Sequence, residues 1–178
     1  MKEDNMNSLE YRNEDDRAYG LAGMLYSLGA LDGLDSVAEV SLDADGPMVT
    51  FSHSYYFNGS PSVSPKATWE NLVRNYHITS VMVVSNVMAR SLVRDREHPP
   101  KDLLDQLFET ISLEGRDECS LEEDEIRNFY DRVLNYGMRL FSNPRIHTAL
   151  RDLTSLLARQ RCLSGREVRE QLEYLQLI

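Results

Sequence analysis

The chain has 178 residues, of which 42% are hydrophobic, and its formal net charge is −10 at pH 7. A chain of that length can bury one core without disulfides or metal ions, so we expect a single domain over residues 1–178. The acidic balance disfavours nonspecific binding of nucleic acid by the molecule as a whole.

The first predicted element is a helix over residues 5–31, where apolar residues recur at spacings of three and four. Gly20, Gly23 and Gly29 weaken a helix, and a close crossing with another helix would explain them. Residues 1–16 are strongly polar, so a disordered N-terminal segment is the alternative for that stretch.

A β-hairpin is predicted over residues 37–57. If Val40 pairs with Val49 and Ala38 pairs with Phe51, the apolar residues of both strands lie on one face. A lone two-stranded ribbon is marginally stable in water, so this face must pack on the helices. The second strand is predicted to continue past its partner to the end of the hairpin.

The predicted extension of the second strand carries the densest aromatic cluster of the chain. His53, Tyr55 and Phe57 would continue the apolar face, while Tyr56 would point to the opposite face. A strand without a partner leaves backbone donors and acceptors unpaired at a sheet edge, and such an edge can accept another chain. We therefore predict that His53, Tyr55, Tyr56 and Phe57 contact a partner protein or a small ligand. Burial of His53 and Tyr55 in the hairpin core is the alternative.

Residues 66–94 are predicted to form a buried central helix, because apolar residues cover more than one of its sides. Trp69 begins the main apolar stripe and is expected to be buried, so that Trp69→Ala would cost about 3–5 kcal/mol. The β-branched run within residues 78–84 is also compatible with a strand.

Further amphipathic helices follow, and each has one apolar stripe and a start signal. The start signals are Pro100, a capping box at Ser120 and Glu123, the pair Asn143–Pro144, and a capping box at Ser164 and Glu167. The sequence therefore predicts a mainly α fold. It is a bundle of five to seven helices around the helix at 66–94, with the hairpin at 37–57 packed on it.

The C-terminal end of the chain is basic, since residues 139–178 hold 7 Arg against 4 acidic residues. Residues 157–172 can be fitted to a helix-turn-helix, with Arg166 and Arg169 as contacts in a DNA groove. Arginines at helix ends are equally expected from the helix dipole. Nucleic-acid binding is therefore an alternative to the main interpretation.

The sequence contains no recognisable catalytic or cofactor motif, so no catalytic, cofactor-binding or metal-binding residue is predicted. None of the four histidines has a His or Cys at i+3 or i+4. Cys119 and Cys162 are isolated in sequence and are expected to be reduced. The N-terminal residues lack an apolar signal segment and the apolar stretches are too short to span a bilayer, so a cytoplasmic protein without a membrane partner is expected.

These observations favour a non-enzymatic cytoplasmic interaction or regulatory module that binds a protein partner or self-associates. One alternative is a small-ligand-binding or hydrolytic protein with its site between the hairpin and the helices. The other is a DNA-binding regulator that uses residues 157–172. A large exposed apolar patch would favour a protein partner, whereas a deep pocket at the aromatic cluster would favour a small ligand.

Overall fold

The computed structural model describes residues 9–56 and 65–178 of the chain. In chain order its elements are α1 (Glu14–Ala30), β1 (Val37–Ser41), β2 (Val49–Phe51), α2 (His53–Tyr56), α3 (Pro65–Met88), α4 (Lys101–Cys119), α5 (Glu123–Phe141), α6 (Pro144–Gln160), β3 (Cys162–Ser164) and α7 (Gly165–Tyr174). The predicted mainly α class, with a small β part, is confirmed. Over the two described ranges, no helix combines the length and the apolar character needed to cross a membrane.

Helices α1 and α3 cross closely at the centre of the bundle, and α1 also packs against α6. A Cβ atom built on Gly23 would lie 2.5 Å from the Cβ of Ala89 and 2.5 Å from the carbonyl oxygen of Ser85. A Cβ on Gly20 would meet the side-chain amide of Asn86 at 2.6 Å. The close crossing predicted from the glycines is therefore confirmed for Gly20 and Gly23, whereas a Cβ on Gly29 would meet the side chain of Ile178 at 2.5 Å. A larger residue at Gly23 would push the two helices apart, because one of the atoms it meets is a backbone oxygen.

Helix α1 begins at Glu14, later than the sequence pattern predicted. Asn13 is extended, and its side-chain oxygen accepts a hydrogen bond from the backbone N–H of Asp16 at 2.9 Å. Such an N-cap satisfies a backbone donor that has no partner inside the helix. Residues 9–12, the described residues before Asn13, thus lie outside the helix.

Helix α3 is continuous through residues 78–84, so the strand alternative for that run is wrong. Its residues are largely buried from Tyr76 onward, and the helix continues as a π-helical stretch over Ala89–Asp95. Its first turns are exposed: Trp69 is 51% exposed and Leu72 is 41% exposed. The predicted burial of Trp69 is therefore wrong. The C-terminal residue of α4, Cys119, donates its thiol to the carbonyl oxygen of Leu72 at 3.8 Å, so α4 ends beside Leu72.

Because Trp69 is half exposed, we expect Trp69→Ala to change the free energy of unfolding by no more than about 0.5–1 kcal/mol. Phe141→Ala is the matched core control, because Phe141 is fully buried and its loss should cost about 3–5 kcal/mol. Urea unfolding of both variants checks this. A shift of the Trp69→Ala midpoint as large as that of Phe141→Ala would contradict the exposed position.

The β part is a three-stranded antiparallel sheet with the order β2–β1–β3 rather than a hairpin alone. The predicted pairing of Val40 with Val49 is confirmed. The predicted pairing of Ala38 with Phe51 is wrong, because Phe51 pairs with Val37 and the register shifts before Glu39. Such a shift places one extra residue on the β1 side and bends the strand.

The second strand ends at Phe51, so its predicted extension to residue 57 is wrong. The chain turns into α2 instead. Ser52 precedes α2, its backbone N–H donates to the carbonyl oxygen of Ser36 at 2.8 Å, and its own carbonyl accepts from the N–H of Tyr55. Serine favours helix starts, because its short side chain competes for local hydrogen bonds. Here the hydroxyl oxygens of Ser52 and Ser54 lie 2.8 Å apart.

Residues 157–172 form a helix, a strand and a helix, so the predicted helix-turn-helix is wrong. Strand β3 occupies the place of the turn and pairs with β1 through Glu39–Ser164, Val40–Leu163 and Ser41–Cys162. Ala158, which a helix-turn-helix would place at the crossing of its helices, is exposed. Val168 is buried, as predicted.

Three of the four predicted helix starts are confirmed and one is displaced. Pro100 directly precedes the first residue of α4, Lys101. Asn143 caps α6 with Pro144 in the first turn, and Ser164 and Glu167 form the capping box of α7. The capping box of α5 is made by Glu122 and Glu125 instead of Ser120 and Glu123. Ser120 is displaced because it ends α4 in the left-handed conformation, with φ 53°.

Both cysteines are free thiols: Cys119 is buried and Cys162 is exposed. Burial and the nearby carboxylates of Glu114 and Glu118 raise the pKa of Cys119, and partial desolvation and Glu39 raise that of Cys162. We expect one thiol per native chain to react with a disulfide reagent at pH 8, more slowly than free cysteine, because the thiolate is the nucleophile. The second should react only in denaturant. An unreactive Cys162, or a melting temperature that falls on reduction, would contradict this assignment.

Candidate interaction groove

The predicted aromatic contact residues are not arranged as an extended ribbon. His53 and Tyr55 lie on the short helix α2. The ring of Tyr55 stacks on Phe51 with the ring centroids 4.0 Å apart, and its hydroxyl donates to the carbonyl oxygen of Asn75 at 3.4 Å. The side chain of Tyr56 and all of Phe57 lie outside the described residues. Contact of these four residues with a partner stays a prediction, but an extended edge strand no longer supports it.

Arg166 and Arg169, the predicted nucleic-acid contacts, lie on α7, and each forms an ion pair. Arg166 pairs with Glu170 of the same helix at 2.8 Å, and Arg169 reaches Asp35 at 2.6 Å. Both pairs are solvent-exposed, so a phosphate could displace the carboxylates at little cost. Both arginines lie on α7, which packs against β1 and β3 of the small sheet. Nucleic-acid binding stays a prediction.

A groove of about 600 Å³ lies between α3 and α5, beside Leu31 at the end of α1. We call it the α3–α5 groove. Its apolar surface comes from Val73 and Val81 on α3 and from Phe129, Val133 and Tyr136 on α5. Val133 is buried, whereas Phe129, Tyr136 and Val73 are partly exposed. The groove therefore exposes apolar surface that the bundle leaves uncovered.

The helical spacing of the lining residues explains how the sequence forms this groove. On α3 the lining residues include Glu70, Val73, His77 and Val81, which recur every three or four residues. Residues at these intervals lie on one side of a helix. Tyr76 lies on another side, and its hydroxyl donates to the carbonyl oxygen of Ile111 in α4 at 3.0 Å. One side of α3 thus packs on α4 while the adjacent side remains open.

The polar rim of the groove is basic. Arg74 and Arg132 are exposed, and neither forms an ion pair within the described part of the chain. Glu70, the acidic residue of the lining, lies 3.8 Å from the ammonium group of Lys66. Partial desolvation and the charge of Arg132 lower the pKa of His77, which favours the neutral imidazole. The rim therefore presents positive charge on a protein whose formal charge is −10.

A second, smaller cleft of about 260 Å³ shares Tyr136 with the groove. It is lined by Tyr26, Arg139, Leu140 and Asn143. Arg139 lies on α5 like Arg132 and is also exposed. The apolar surface and its basic border therefore continue along α5 beyond the groove.

Trp69 and Leu72 lie on the first turns of α3, next to the groove residues Glu70 and Val73. Sequence reasoning counted these apolar residues as core, because the stripe pattern does not show where a neighbouring helix ends. The sequence does contain one indication of this exposure, because apolar residues cover more sides of residues 66–94 than the neighbouring helices can bury. Trp69 is also the sole tryptophan of the chain, so its fluorescence reports on this surface directly.

Among the residues that the structure describes, no group of three or more His, Cys, Asp or Glu side chains converges on a metal position. No protein-family profile matches the chain, and comparisons with curated protein sequences and with solved structures give no significant match. The case for function therefore depends on the groove itself.

Proposed function

We propose that this protein is a non-enzymatic interaction module that binds a protein partner in the α3–α5 groove. One observation carries the proposal: an open apolar groove lies beside a half-exposed tryptophan on the same helix. Clustered exposed apolar surface is typical of sites that another protein covers. A cytoplasmic location and self-association are predictions that accompany this proposal.

The residue types of the surface support a protein partner. Tryptophan, tyrosine and arginine dominate the binding energy of protein interfaces, because each buries a large area with few rotatable bonds or makes forked hydrogen bonds. Trp69, Tyr136 and Arg132 supply all three types around one apolar floor. Contacts with these residues would desolvate the groove and exclude water from its centre.

The proposal is tested with two charge-introducing variants of equal chemistry. Val73→Glu places a carboxylate in the groove, whereas Leu113→Glu places one on α4 at a 57% exposed leucine that does not line the groove. Both variants should fold, because neither site is buried. Proteins captured from the native host would be compared across the two variants, and each candidate would then be purified for titration.

We expect at least one purified partner to bind the wild-type chain and Leu113→Glu equally, and to bind Val73→Glu at least tenfold more weakly. Binding should also shift the emission of Trp69 to shorter wavelength, because the indole loses water contact. If every purified partner binds Val73→Glu as tightly as the wild-type chain, the groove is not the interaction site and the proposal fails.

The volume of the groove supports a small apolar ligand as a second candidate function, since about 600 Å³ is typical of small-molecule sites. Equilibrium titration with decanoate, which has an apolar chain and one carboxylate, tests it. Saturable binding that Val73→Glu abolishes would favour this function. Weak binding, equal in both proteins, would leave the protein partner as the proposal.

A further inference from the structure

We infer that the groove selects an acidic amphipathic helix, meaning a helix with one apolar row that is bordered by aspartate and glutamate. This inference rests on the proposed function and adds the chemistry of the partner. The charge of the rim carries it: Arg74 and Arg132 border an apolar floor, and neither forms an ion pair within the described residues. Basic side chains beside a groove attract and orient a carboxylate-bearing partner.

The chain already contains a helix of this kind packed on the same two helices. The buried residues of α4 include Leu103, Leu107 and Ile111. Backbone carbonyls of α4 accept hydrogen bonds from the two neighbouring helices. Ile111 accepts from the hydroxyl of Tyr76 in α3 at 3.0 Å, and Leu104 accepts from the hydroxyl of Tyr130 in α5 at 2.9 Å. Apart from its buried apolar row, α4 carries six acidic residues against Lys101 and Arg116. Helices α3 and α5 therefore accept an acidic amphipathic helix on one side, and the groove offers apolar surface on another.

The dimensions of the groove fit a helix of about three turns. Its lining on α3 extends from Glu70 to Val81, which corresponds to about 17 Å along a helix axis. A partner helix would place apolar residues at i, i+3 or i+4, and i+7 on this floor. Carboxylates on both sides of that row would lie within reach of Arg74 and Arg132. Arginine can bind each carboxylate through two parallel hydrogen bonds.

A basic partner does not fit the same groove. Its lysines or arginines would lie beside Arg74 and Arg132, and like charges at an interface oppose association. The acidic residues of the chain are most frequent over residues 1–64 and 97–125, and the described lining of the groove includes none from these two ranges. At physiological ionic strength the Debye length is about 8 Å, so the local arginines outweigh distant carboxylates.

The test uses three fluorescein-labelled helical peptides of about 15 residues with the same leucine positions. The first has glutamate on both borders of the leucine row, the second has lysine on both borders, and the third has glutamate borders but serine in place of leucine. Fluorescence anisotropy measures each affinity, and the emission of Trp69 reports whether the peptide occupies the groove. The matched variant is Arg74→Glu with Arg132→Glu, two exposed positions at which the fold should survive.

We expect the glutamate–leucine peptide to bind the wild-type chain at least tenfold more tightly than either of the other two. In the double variant the order of the glutamate and lysine peptides should reverse. Val73→Glu should weaken binding of the glutamate–leucine peptide, and Leu113→Glu should leave its affinity unchanged. A reversed order with an unchanged fold, checked by circular dichroism, is the result that establishes the charge selection.

Three results would overturn the inference. If both leucine peptides bind equally and Val73→Glu weakens both, the groove binds apolar helices without charge selection, and the proposed function stands. If no peptide binds although a purified partner depends on Val73, the partner is not an acidic helix. If the chain dimerises in sedimentation experiments and Val73→Glu prevents it, a second copy is the occupant. The proposed function fails only when no purified partner depends on Val73.

Discussion

Replacing Asp16 with asparagine is expected to lower the free energy of unfolding by about 3–5 kcal/mol, because it leaves a buried arginine without its counter-charge. Asp16 is fully buried in the first turn of α1, and Arg90 in the π-helical stretch after α3 is 5% exposed. The guanidinium of Arg90 donates to the Asp16 carboxylate at 2.8 Å. The backbone N–H and the guanidinium of Arg12 donate to it at 3.0 and 3.1 Å.

The same arginine fixes the segment that precedes α1. Arg90 donates to the carbonyl oxygens of Leu9 and Glu10 at 3.3 and 2.7 Å, and its guanidinium lies 5.0 Å from the ring centre of Tyr11. The hydroxyl of Tyr11 in turn accepts a hydrogen bond from Asn86 of α3 at 2.8 Å. Loss of the Asp16 charge should therefore loosen residues 9–13 as well as the contact between α1 and the π-helical stretch.

The pH dependence of stability follows from the same contacts. Burial raises the pKa of Asp16, but the hydrogen bonds from Arg90 and Arg12 outweigh burial and hold that pKa well below its usual range. In the unfolded chain the carboxylate of Asp16 takes up a proton near pH 3.9, whereas in the folded chain it stays ionised. The stabilisation from the Asp16 contacts is therefore present above that pH and is lost as the pH falls further. Between pH 4 and pH 2 the wild-type chain should therefore lose more stability than Asp16→Asn.

Urea unfolding at pH 7 checks the first prediction, and each kcal/mol should lower the melting temperature by about 2–4 °C. Asp15→Asn is the control: Asp15 is exposed and pairs with Arg94 at 2.6 Å, so its loss should cost no more than about 1 kcal/mol. Asp16→Leu combined with Arg90→Met should be less destabilising than Asp16→Asn, because no buried charge remains. Equal unfolding midpoints for Asp16→Asn and Asp15→Asn would contradict the role of the buried pair.

The sequence predicted the elements that depend on local patterns. Helix periodicity and short caps act over a few residues, so the starts at Asn143–Pro144 and Ser164–Glu167 were identified correctly. The glycines of the first helix also had one clear physical explanation, the close crossing at Gly20 and Gly23. These features need no knowledge of which element packs against which.

Features that depend on distant residues were missed. Strand β3 has three residues and gains its partner, β1, from more than 120 residues earlier, so nothing in its own pattern marks it as a strand. The end of β2 at Phe51 depends on the start of α2 at His53, which the aromatic alternation concealed. The exposure of Trp69 depends on where α4 and α5 lie, and a stripe of apolar residues contains no such information.

The groove was beyond sequence reasoning for the same reason. Its floor combines Leu31 with residues of α3 and α5 that lie about fifty positions apart. Val73 and Val133 each belong to an ordinary apolar stripe, and only their positions in the fold show that Val133 is buried while Val73 remains partly exposed. The pairing state of Arg74 and Arg132 also emerges only when the neighbouring acidic residues are located.

Gly23→Val is the second substitution with a large expected effect, and it should lower the free energy of unfolding by about 3 kcal/mol or more. A single Cβ at this position already lies 2.5 Å from a backbone oxygen of α3, and backbone atoms cannot rotate away as a side chain can. Valine adds two further methyl groups at a stiff χ1 angle. The small gain in helix propensity over glycine, which is less than 1 kcal/mol, cannot offset this overlap.

The comparison with other glycines makes this prediction specific to the crossing. Gly46→Ala is the control, because a Cβ there meets nothing within 4 Å, and we expect a change between zero and a stabilisation of about 1 kcal/mol. Gly20→Ala should fall between the two, since its obstacle is the side-chain amide of Asn86, which can move at the expense of its hydrogen bond to Tyr11. Urea midpoints that decrease from Gly46→Ala through Gly20→Ala to Gly23→Val would support a rigid contact between α1 and α3. A Gly23→Val variant as stable as the wild-type chain would mean that the two helices can separate at this point, and the close crossing would not be what fixes the centre of the bundle.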